Sequence, residues 1–457
     1  MTTPHKTSID CSDVKATLDY RDFKTLRQLF KDNEIADVAK LFGESELAES
    51  VALFRLVTRS RRAELFSYLP FERQEALLEE LPDAIVTSLL NEMEPDDRTH
   101  FLEALPVEIR NKLIHQLDPA ESRVASLLLS YPEGSVGRLM TPDFLALNGT
   151  MTVKEALDKI HWNTALPTDF LNYLFVSAED GQLIGEVTLA SLVVCDPPST
   201  LIKDIMRKSY AALHPEQEEH LAVEIFRRYD RSYIPVVSLE NKILGIVTAD
   251  DVFDVAEEEA TEDLHQFGGH VALEESYFQT PFISMLKKRA GWLSFLFVSG
   301  FITGEAMRAY GDLLTKFAFL MFFLPNIISS GGNSGTQSAS LIIRGFALNE
   351  LKMSDAWRVL VKELLVGLSL GLILAIFAFI RVISWGLSAK IGLAITLSVI
   401  CVVIFGVITG SMLPFALKKL RVDPAIASSP FISTIVDVSG VLITFKMAML
   451  VSDYLGF

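Results

Sequence analysis

The chain has 457 residues, with 41 Lys and Arg against 58 Asp and Glu and half of all positions apolar, a length for about three domains of roughly 150 residues each. The charge is divided: residues 276–457 carry 15 basic and 8 acidic groups, net +7, which leaves 26 and 50, net −24, in residues 1–275. So acidic a first part is a poor binder of nucleic acid or anionic lipid, and Cys11, Cys195 and Cys401 are too few and scattered for a disulfide framework or a thiolate metal site. Met1-Thr-Thr-Pro-His-Lys6 has no apolar h-region, so no signal peptide is expected and the acidic part should stay cytosolic.

Residues 65–135 contain a short repeat. Pro70, Pro82, Pro95, Pro106, Pro119 and Pro132 recur at intervals of 12, 13, 11, 13 and 13, with apolar pairs such as Leu77-Leu78, Leu89-Leu90 and Leu127-Leu128 between them. Each Pro suits the first turn of a helix, and about eight residues follow before the next break, so the spacing predicts stacked short helices in an all-α solenoid. Its acidic surface fits either a spacing or oligomerisation module or a sensor.

Residues 138–257 contain a longer repeat with an offset drifting from about 60 to 68. Leu139-Met-Thr-Pro142 aligns with Ile205-Met-Arg-Lys208, and Gln182-Leu-Ile-Gly-Glu-Val-Thr188 with Lys242-Ile-Leu-Gly-Ile-Val-Thr248. Each unit reads as helix, strand, strand, helix, with Asp180-Gly181 and Glu240-Asn241 as the hairpin turns. The pairing resembles a tandem of cystathionine-β-synthase-type (CBS) domains, an α/β module that often binds adenosine nucleotides between its repeats. Gly245-Ile-Val-Thr-Ala-Asp-Asp251 matches that family's Gly-x-x-Thr-x-x-Asp ribose pattern, so the resemblance implies ATP or another adenosine nucleotide at Thr248 and Asp251. In the first unit Ser191 stands where that Asp would be. At most one nucleotide site is intact, and a purely structural tandem is the other reading.

From Asp250 to Glu275 there are ten carboxylates, Asp250, Asp251, Asp254, Glu257, Glu258, Glu259, Glu262, Asp263, Glu274 and Glu275, and no Lys or Arg. Up to about Gly268 the spacing is helical. Asp251, Asp254, Glu258 and Glu262 follow at steps of 3, 4 and 4, on one face, where like charges cost about 0.2–0.5 kcal/mol per pair. A solvated linker helix would suffice for an ordinary charge run. A bound divalent cation would instead neutralise this face together with the acidic solenoid and bias the domains toward a compact state.

Apolar stretches of spanning length then recur at about 291–309, 313–331, 363–387, 391–415 and 429–451, each near the roughly 20 residues that cross a bilayer. Lys287, Lys288 and Arg289, then Arg344, Lys352, Arg358 and Lys362, then Lys418, Lys419 and Arg421 all fall on one side of five such helices, which the positive-inside rule makes cytoplasmic. Lys316 and Arg381 lie near span ends, where they can snorkel.

Polar residues within the spans point to function. Asp437 lies about a third of the way into the last span, where a carboxylate costs about 2.5 kcal/mol or more unless water or a cation faces it; the bland alternative is a protonated Asp bonded to a neighbouring helix. Asp423 opens the same helix, as a cation ligand or merely a first-turn acid. Ser329-Ser-Gly-Gly-Asn-Ser-Gly-Thr-Gln-Ser338 reads as a break in a span, tolerated where protein or water surrounds it, or as a close-packed helix interface. All eight histidines lie at or before His270, so the donors left in the membrane are oxygens, which suit Mg²⁺ or Ca²⁺. No His-Glu-x-x-His motif and no phosphate-binding Gly-x-x-x-x-Gly-Lys-Ser/Thr loop occurs, so neither a zinc protease nor an ATP-driven pump is indicated, and the chain is not expected to be an enzyme.

The order of parts, with Glu259-Ala-Thr-Glu-Asp263, Gly331-Gly-Asn-Ser-Gly-Thr-Gln-Ser-Ala-Ser340, Asp423-Pro-Ala425 and Ile435-Val-Asp-Val-Ser-Gly440, resembles the bacterial MgtE family of magnesium channels over nearly the whole chain. The resemblance implies a multidomain membrane protein. An acidic helical N-domain would occupy residues 1–135, CBS domains 136–200 and 201–249, an acidic plug helix 250–275 and a five-helix transmembrane domain 276–457. It further implies a homodimer with its pore at the subunit interface, in the cytoplasmic membrane, taking up Mg²⁺ and closed by cytosolic Mg²⁺. By residue, the family's intramembrane Asp matches Asp437, its plug carboxylates Asp251, Asp254, Glu259, Glu262 and Asp263, and the acid opening the last helix Asp423. Asp230 of Arg228-Tyr-Asp230 resembles a further cation ligand, and Glu94, Asp96 and Asp97 are the N-domain candidates. Ser429 departs from the Asn or Gly found before the corresponding Pro. Two rivals stay open: a divalent-cation exchanger coupled to H⁺ or Na⁺, and a non-conducting, membrane-anchored CBS nucleotide sensor.

Overall fold

The computed structural model describes residues 17, 20, 22–162, 171–208, 210–269, 271, 280–311 and 317–455. Cys11, His270, Glu274, Glu275 and Lys316, and with them the start of the 313–331 span, lie outside the described residues. The chain divides into two units, one ending at Glu257 and the other beginning at Glu258.

The first unit opens with short helices: α1 (Phe23–Asp32), α2 (Ile35–Glu44), α3 (Leu47–Phe54), α4 (Arg59–Ser67), α5 (Phe71–Glu80), α6 (Asp83–Glu92), α7 (Pro95–Ala104), α8 (Val107–Gln116) and α9 (Pro119–Leu128). The expected use of proline holds at five of the six positions, Pro132 lying instead in the turn before the next helix. Pro70, Pro82 and Pro106 are the residues capping α5, α6 and α8, and Pro95 and Pro119 take the first helical position, where a missing N–H costs nothing. The solenoid reaches further toward the N-terminus than the prolines indicate. Phe30, Phe42, Phe54 and Phe66 recur every 12 residues and stack with Phe101 through ring centroids 6.0, 6.3, 6.4 and 5.3 Å apart. One buried ring per repeat turns neighbouring helices into a continuous core.

The repeat that follows comprises α10 (Val136–Leu139), β1 (Ala146–Asn148), α11 (Val153–Trp162), β2 (Tyr173–Ser177), β3 (Leu183–Thr188) and α12 (Leu189–Val194), then α13 (Ile202–Ile205), α14 (His220–Tyr229), β4 (Tyr233–Val237) and β5 (Ile243–Thr248). Both expected hairpins form: β2 pairs antiparallel with β3, and β4 with β5, with Gly181 (φ 84°) and Asn241 (φ 60°) in the left-handed turn positions. The two repeats exchange leading segments. Thr141, ahead of the first, bridges Ile246 of β5, and Arg207, ahead of the second, bridges Glu186 of β3. Arg231 also ion-pairs with Glu186 at 2.6 Å.

Helix α15 (Ala249–Phe267) follows β5 directly and ends at Gly268-Gly269, as the acidic connector predicts. The second unit continues with α16 (Phe282–Ala309), α17 (Leu320–Ala347), α18 (Ala356–Ser384), α19 (Ala389–Lys419) and α20 (Ser429–Leu455), and four of these, all but α17, are long and apolar enough to cross a membrane. Helix α17 holds the correction to the expected break: Ser329 to Ser338 are helical throughout, and Pro325 is accommodated upstream. The reason is packing. Gly331 and Gly335 lie against Gly406 and Gly410 of α19, so close that a Cβ on either α19 glycine would clash with the opposing carbonyl oxygen at about 2 Å. The small residues serve a helix interface.

Candidate cation sites and the polar path through the helices

In the first unit, two acidic helix starts come within electrostatic reach of each other. Glu94 caps α7, and Asp96 and Asp97 sit in its first turn; Asp250 and Asp251 sit in the first turn of α15, and Asp254 follows one turn on. Each helix dipole favours its own acids. Together they repel. Burial, then Asp251, Asp97 and Glu94, push the Asp96 carboxyl well above the usual range. Burial and the neighbouring Asp97, Asp250 and Asp143 push Glu94 up to about 7, and Asp251 rises to about 7 by burial although the Thr248 hydroxyl donates to it. Asp97 and Asp254 are raised chiefly by burial, with His100 partly offsetting both. Burial together with Glu64, Asp250, Asp254 and Asp97 pushes the Tyr68 phenol up. Arg98, whose charge is felt at Asp143, is already committed: fully buried, it donates to the Leu90 carbonyl at 3.0 Å and to Glu121 at 2.5 Å.

The five candidates Glu94, Asp96, Asp97, Asp251 and Asp254 thus share one electrostatic neighbourhood, to which Asp250 of the same acidic run, and Asp143 and Glu64, also belong. No spacing signal pointed to those last two, since they lie on other elements. Asp230 does not join the neighbourhood. It is exposed and ends α14 in the left-handed conformation (φ 48°), its N–H on the Phe226 carbonyl, which is a helix-capping role. Thr248 and Asp251 bond to each other, so the residues of the ribose pattern are also residues of the acid cluster.

In the second unit, burial and then Asp423, Glu259 and Glu262 push Asp263 up to about 6. The Glu262 carboxylate accepts from Gln266 at 2.9 Å. Asp423 does not open the last long helix, contrary to expectation: its carboxylate caps a separate short turn, Pro424–Ile426, accepting from the Ala425 N–H at 2.8 Å. Helix α20 starts afresh at Ser429, whose hydroxyl lies 3.2 Å from that of Thr336 on α17.

Asp437 is half-buried a third of the way along α20, and among the described residues its carboxylate has no hydrogen-bond or ion-pair partner. Across from this helix, a Cβ at Gly332 of α17 would meet Ser433 at 3.3 Å, and Asn333, Gln337 and Ser340 of α17 are exposed at helical spacing. The polar segment therefore has two faces: glycines packed on α19, and amides and hydroxyls left open. A further buried acid, Glu363 of α18, accepts from the Ser338 hydroxyl at 2.6 Å. Its position at the start of an apolar run is the signal that would have drawn attention to it. Among the described residues no three Asp, Glu, His or Cys side chains converge tightly enough to chelate one ion.

Three family models match the chain: a divalent cation transporter model (MgtE) over residues 324–447, the MgtE intracellular N domain over 33–134, and the CBS domain over 136–195 and 202–258. The magnesium transporter MgtE of Thermus thermophilus is 34% identical over 361 residues, 78% of this chain and 80% of that protein. The magnesium transporter MgtE of Bacillus subtilis is 32% identical over 79% of both chains. Among solved structures, the cytosolic domain of the Mg²⁺ channel MgtE in complex with ATP matches with a TM-score of 0.51 at 29% identity, covering 54% of this chain and all of that one. The soluble part of a magnesium transporter matches with a TM-score of 0.50 at 25% identity, covering 55% and 98%.

Proposed function

The chain belongs to the MgtE family of magnesium transporters, and on that premise we propose that it is a homodimeric Mg²⁺ channel of the cytoplasmic membrane, closed by cytosolic Mg²⁺. The observation that carries the conducting role is Asp437, a carboxylate without a protein partner among the described residues, part-way through the last spanning helix. An ion keeping its water needs one or two carboxylates and a polar wall. Asp437 from each protomer would supply the first, and the open face of Asn333, Gln337 and Ser340 the second. That polar face on α17, packed among the spanning helices, also argues for a second copy of the chain, since lipid is a poor neighbour for amides.

The closing role rests on the acid clusters. Mg²⁺ would be held among Glu94, Asp96, Asp97, Asp251 and Asp254 in the first unit, and among Glu259, Glu262, Asp263 and Asp423 in the second. Bound there, the ion supplies positive charge that removes the repulsion, which biases the compact arrangement. Loss of the ion restores it. An adenosine nucleotide at the CBS pair, engaging Thr248 and Asp251, would share a residue with the first cluster and so change its Mg²⁺ response. Entry itself needs no hydrolysis, because a membrane potential supplies about 2.3 kcal/mol per unit charge per 100 mV.

The deciding experiment is Mg²⁺ flux into proteoliposomes for wild type and Asp437→Asn. The proposal expects gradient-driven flux in the wild type, without a counter-ion, and at least about a tenfold loss in the variant, the scale of removing a charge-assisted contact. Equal, substantial flux in both would falsify the pathway, and flux that requires a Na⁺ or H⁺ gradient would identify an exchanger.

A further inference from the structure

A cavity of about 230 Å³ opens between α17, α18 and α19, and neither Asp437 nor any of the clustered acids lines it. Its walls are mixed in a specific way. Phe323, Ile327, Leu374 and Phe377 supply an apolar slot, while Arg381, Asn326 and Ser330 bring polar groups to the same space. Among the described residues neither the Arg381 guanidinium nor the Asn326 side-chain amide has a hydrogen-bond or ion-pair partner, and both residues are exposed. The guanidinium lies over the Trp385 ring, 4.7 Å from its centroid, and that ring also meets Phe323 at 5.1 Å.

Depth decides what these groups can meet. Arg381 is three residues from the end of α18 and Asn326 six from the start of α17, so at 1.5 Å per residue both lie within about 10 Å of the helix ends opposite the Lys and Arg clusters. That is headgroup level, where Trp385 also belongs. An uncompensated guanidinium there, above an apolar slot on the lipid-facing side of α18, is complementary to a molecule with an anionic head and a hydrocarbon tail. The outward residues Ile373, Ile376 and Ile380 of α18, all more than half exposed, continue the slot's apolar surface toward the lipid.

We propose that this cavity binds one anionic phospholipid per protomer, with its phosphodiester on the Arg381 fork and the Asn326 amide and one acyl chain along Phe323, Ile327 and Phe377. The planar guanidinium matches phosphate oxygens two at a time, which an ammonium does not. The proposal rests on the membrane reading above but not on conduction, because lipid retention is measured without transport.

The test uses the full chain in detergent, titrated with phosphatidylglycerol or with phosphatidylcholine and read by native mass spectrometry. Wild type should retain phosphatidylglycerol under activation that strips phosphatidylcholine, and Arg381→Gln should lower that retention about tenfold, the scale of a lost charge-assisted contact. Arg381→Lys, which keeps charge but not the fork, should fall between them, and decides the matter if the Gln variant does not fold. Equal retention in wild type and variants, equal retention of both lipids, displacement by inorganic phosphate alone, or a Phe377→Cys variant that crosslinks to a second copy would each overturn the proposal.

Discussion

Gly406 of α19 packs so closely on Gly331 of α17 that a Cβ on Gly406 would lie only 2.1 Å from the Gly331 carbonyl oxygen, and four residues on in both helices Gly410 and Gly335 repeat the contact at 1.9 Å. Two backbones in touch over a full turn leave α17 no freedom to rotate. Its opposite face, with Asn333 and Gln337, is thereby aimed in one direction.

Gly406→Ala should therefore lower the stability of the membrane unit by about 1–3 kcal/mol, the usual penalty of overpacking. Gly300→Ala on α16, where a Cβ meets nothing within 4 Å, should be silent. Thermal unfolding in detergent reads both. Equal midpoints for the two variants would contradict the backbone contact.

The acid cluster carries a pH dependence whose sign is fixed. Glu94 and Asp251 are raised to about 7 and Asp263 to about 6, all above their unfolded range. Without metal, their contribution to the folded arrangement is present at low pH and is lost as pH rises from the unfolded carboxylate range through about 7. Mg²⁺ needs the ionised acids, so its effect runs the other way and its binding releases protons. Protease cleavage of the soluble part in chelator should be faster near pH 8 than near pH 6, and the Mg²⁺ concentration giving half protection should be lower near pH 8. Cleavage in chelator that ignores pH would remove the repulsion argument.

Asp96→Asn tests the same cluster from the folded side. Deleting the most buried of the charges relieves Asp251 and Glu94, so the metal-free thermal midpoint should rise while the further gain from Mg²⁺ shrinks. A midpoint that falls, with the Mg²⁺ gain intact, would make Asp96 a structural acid.

Glu363→Ala removes the acceptor for the buried Ser338 hydroxyl, an expected loss of about 1–3 kcal/mol, whereas Glu363→Gln keeps an acceptor and should retain most of the stability. Detergent unfolding midpoints separate the two. If Ala and Gln behave alike, the 2.6 Å contact is not what holds α17 to α18 there.

Arg98→Met should unfold the solenoid's C-terminal repeats preferentially, seen as faster amide exchange in α7 and α9, because the fully buried guanidinium links the Leu90 carbonyl to Glu121. Breaking one side of a buried ion pair typically costs about 3–5 kcal/mol, less here because Glu121 is partly exposed. Exchange spread evenly over α1 to α9 would count against it.

What could be read from the chain alone was whatever depends on spacing along it. Proline intervals marked helix starts, the 60-to-68-residue offset marked the paired repeats and their hairpins, the run of acids marked α15, and apolar length marked four of the five expected spans, α17 being long enough but too polar to qualify. Local periodicity and burial need no partner to be identified. Tertiary structure decided the rest. Whether Ser329–Ser338 breaks or continues a helix turned on the glycines of α19, about seventy residues away, because only an opposing backbone makes small residues favourable at those positions. Whether Asp423 opened α20 or a separate turn depended on where its carboxylate found an N–H. Which acids face Asp251 depended on how α7 meets α15, and which stay apart, as Asp230 does, on the end of α14. Charge is written in the sequence, but repulsion depends on distance, and distance between remote residues exists only once the chain has folded.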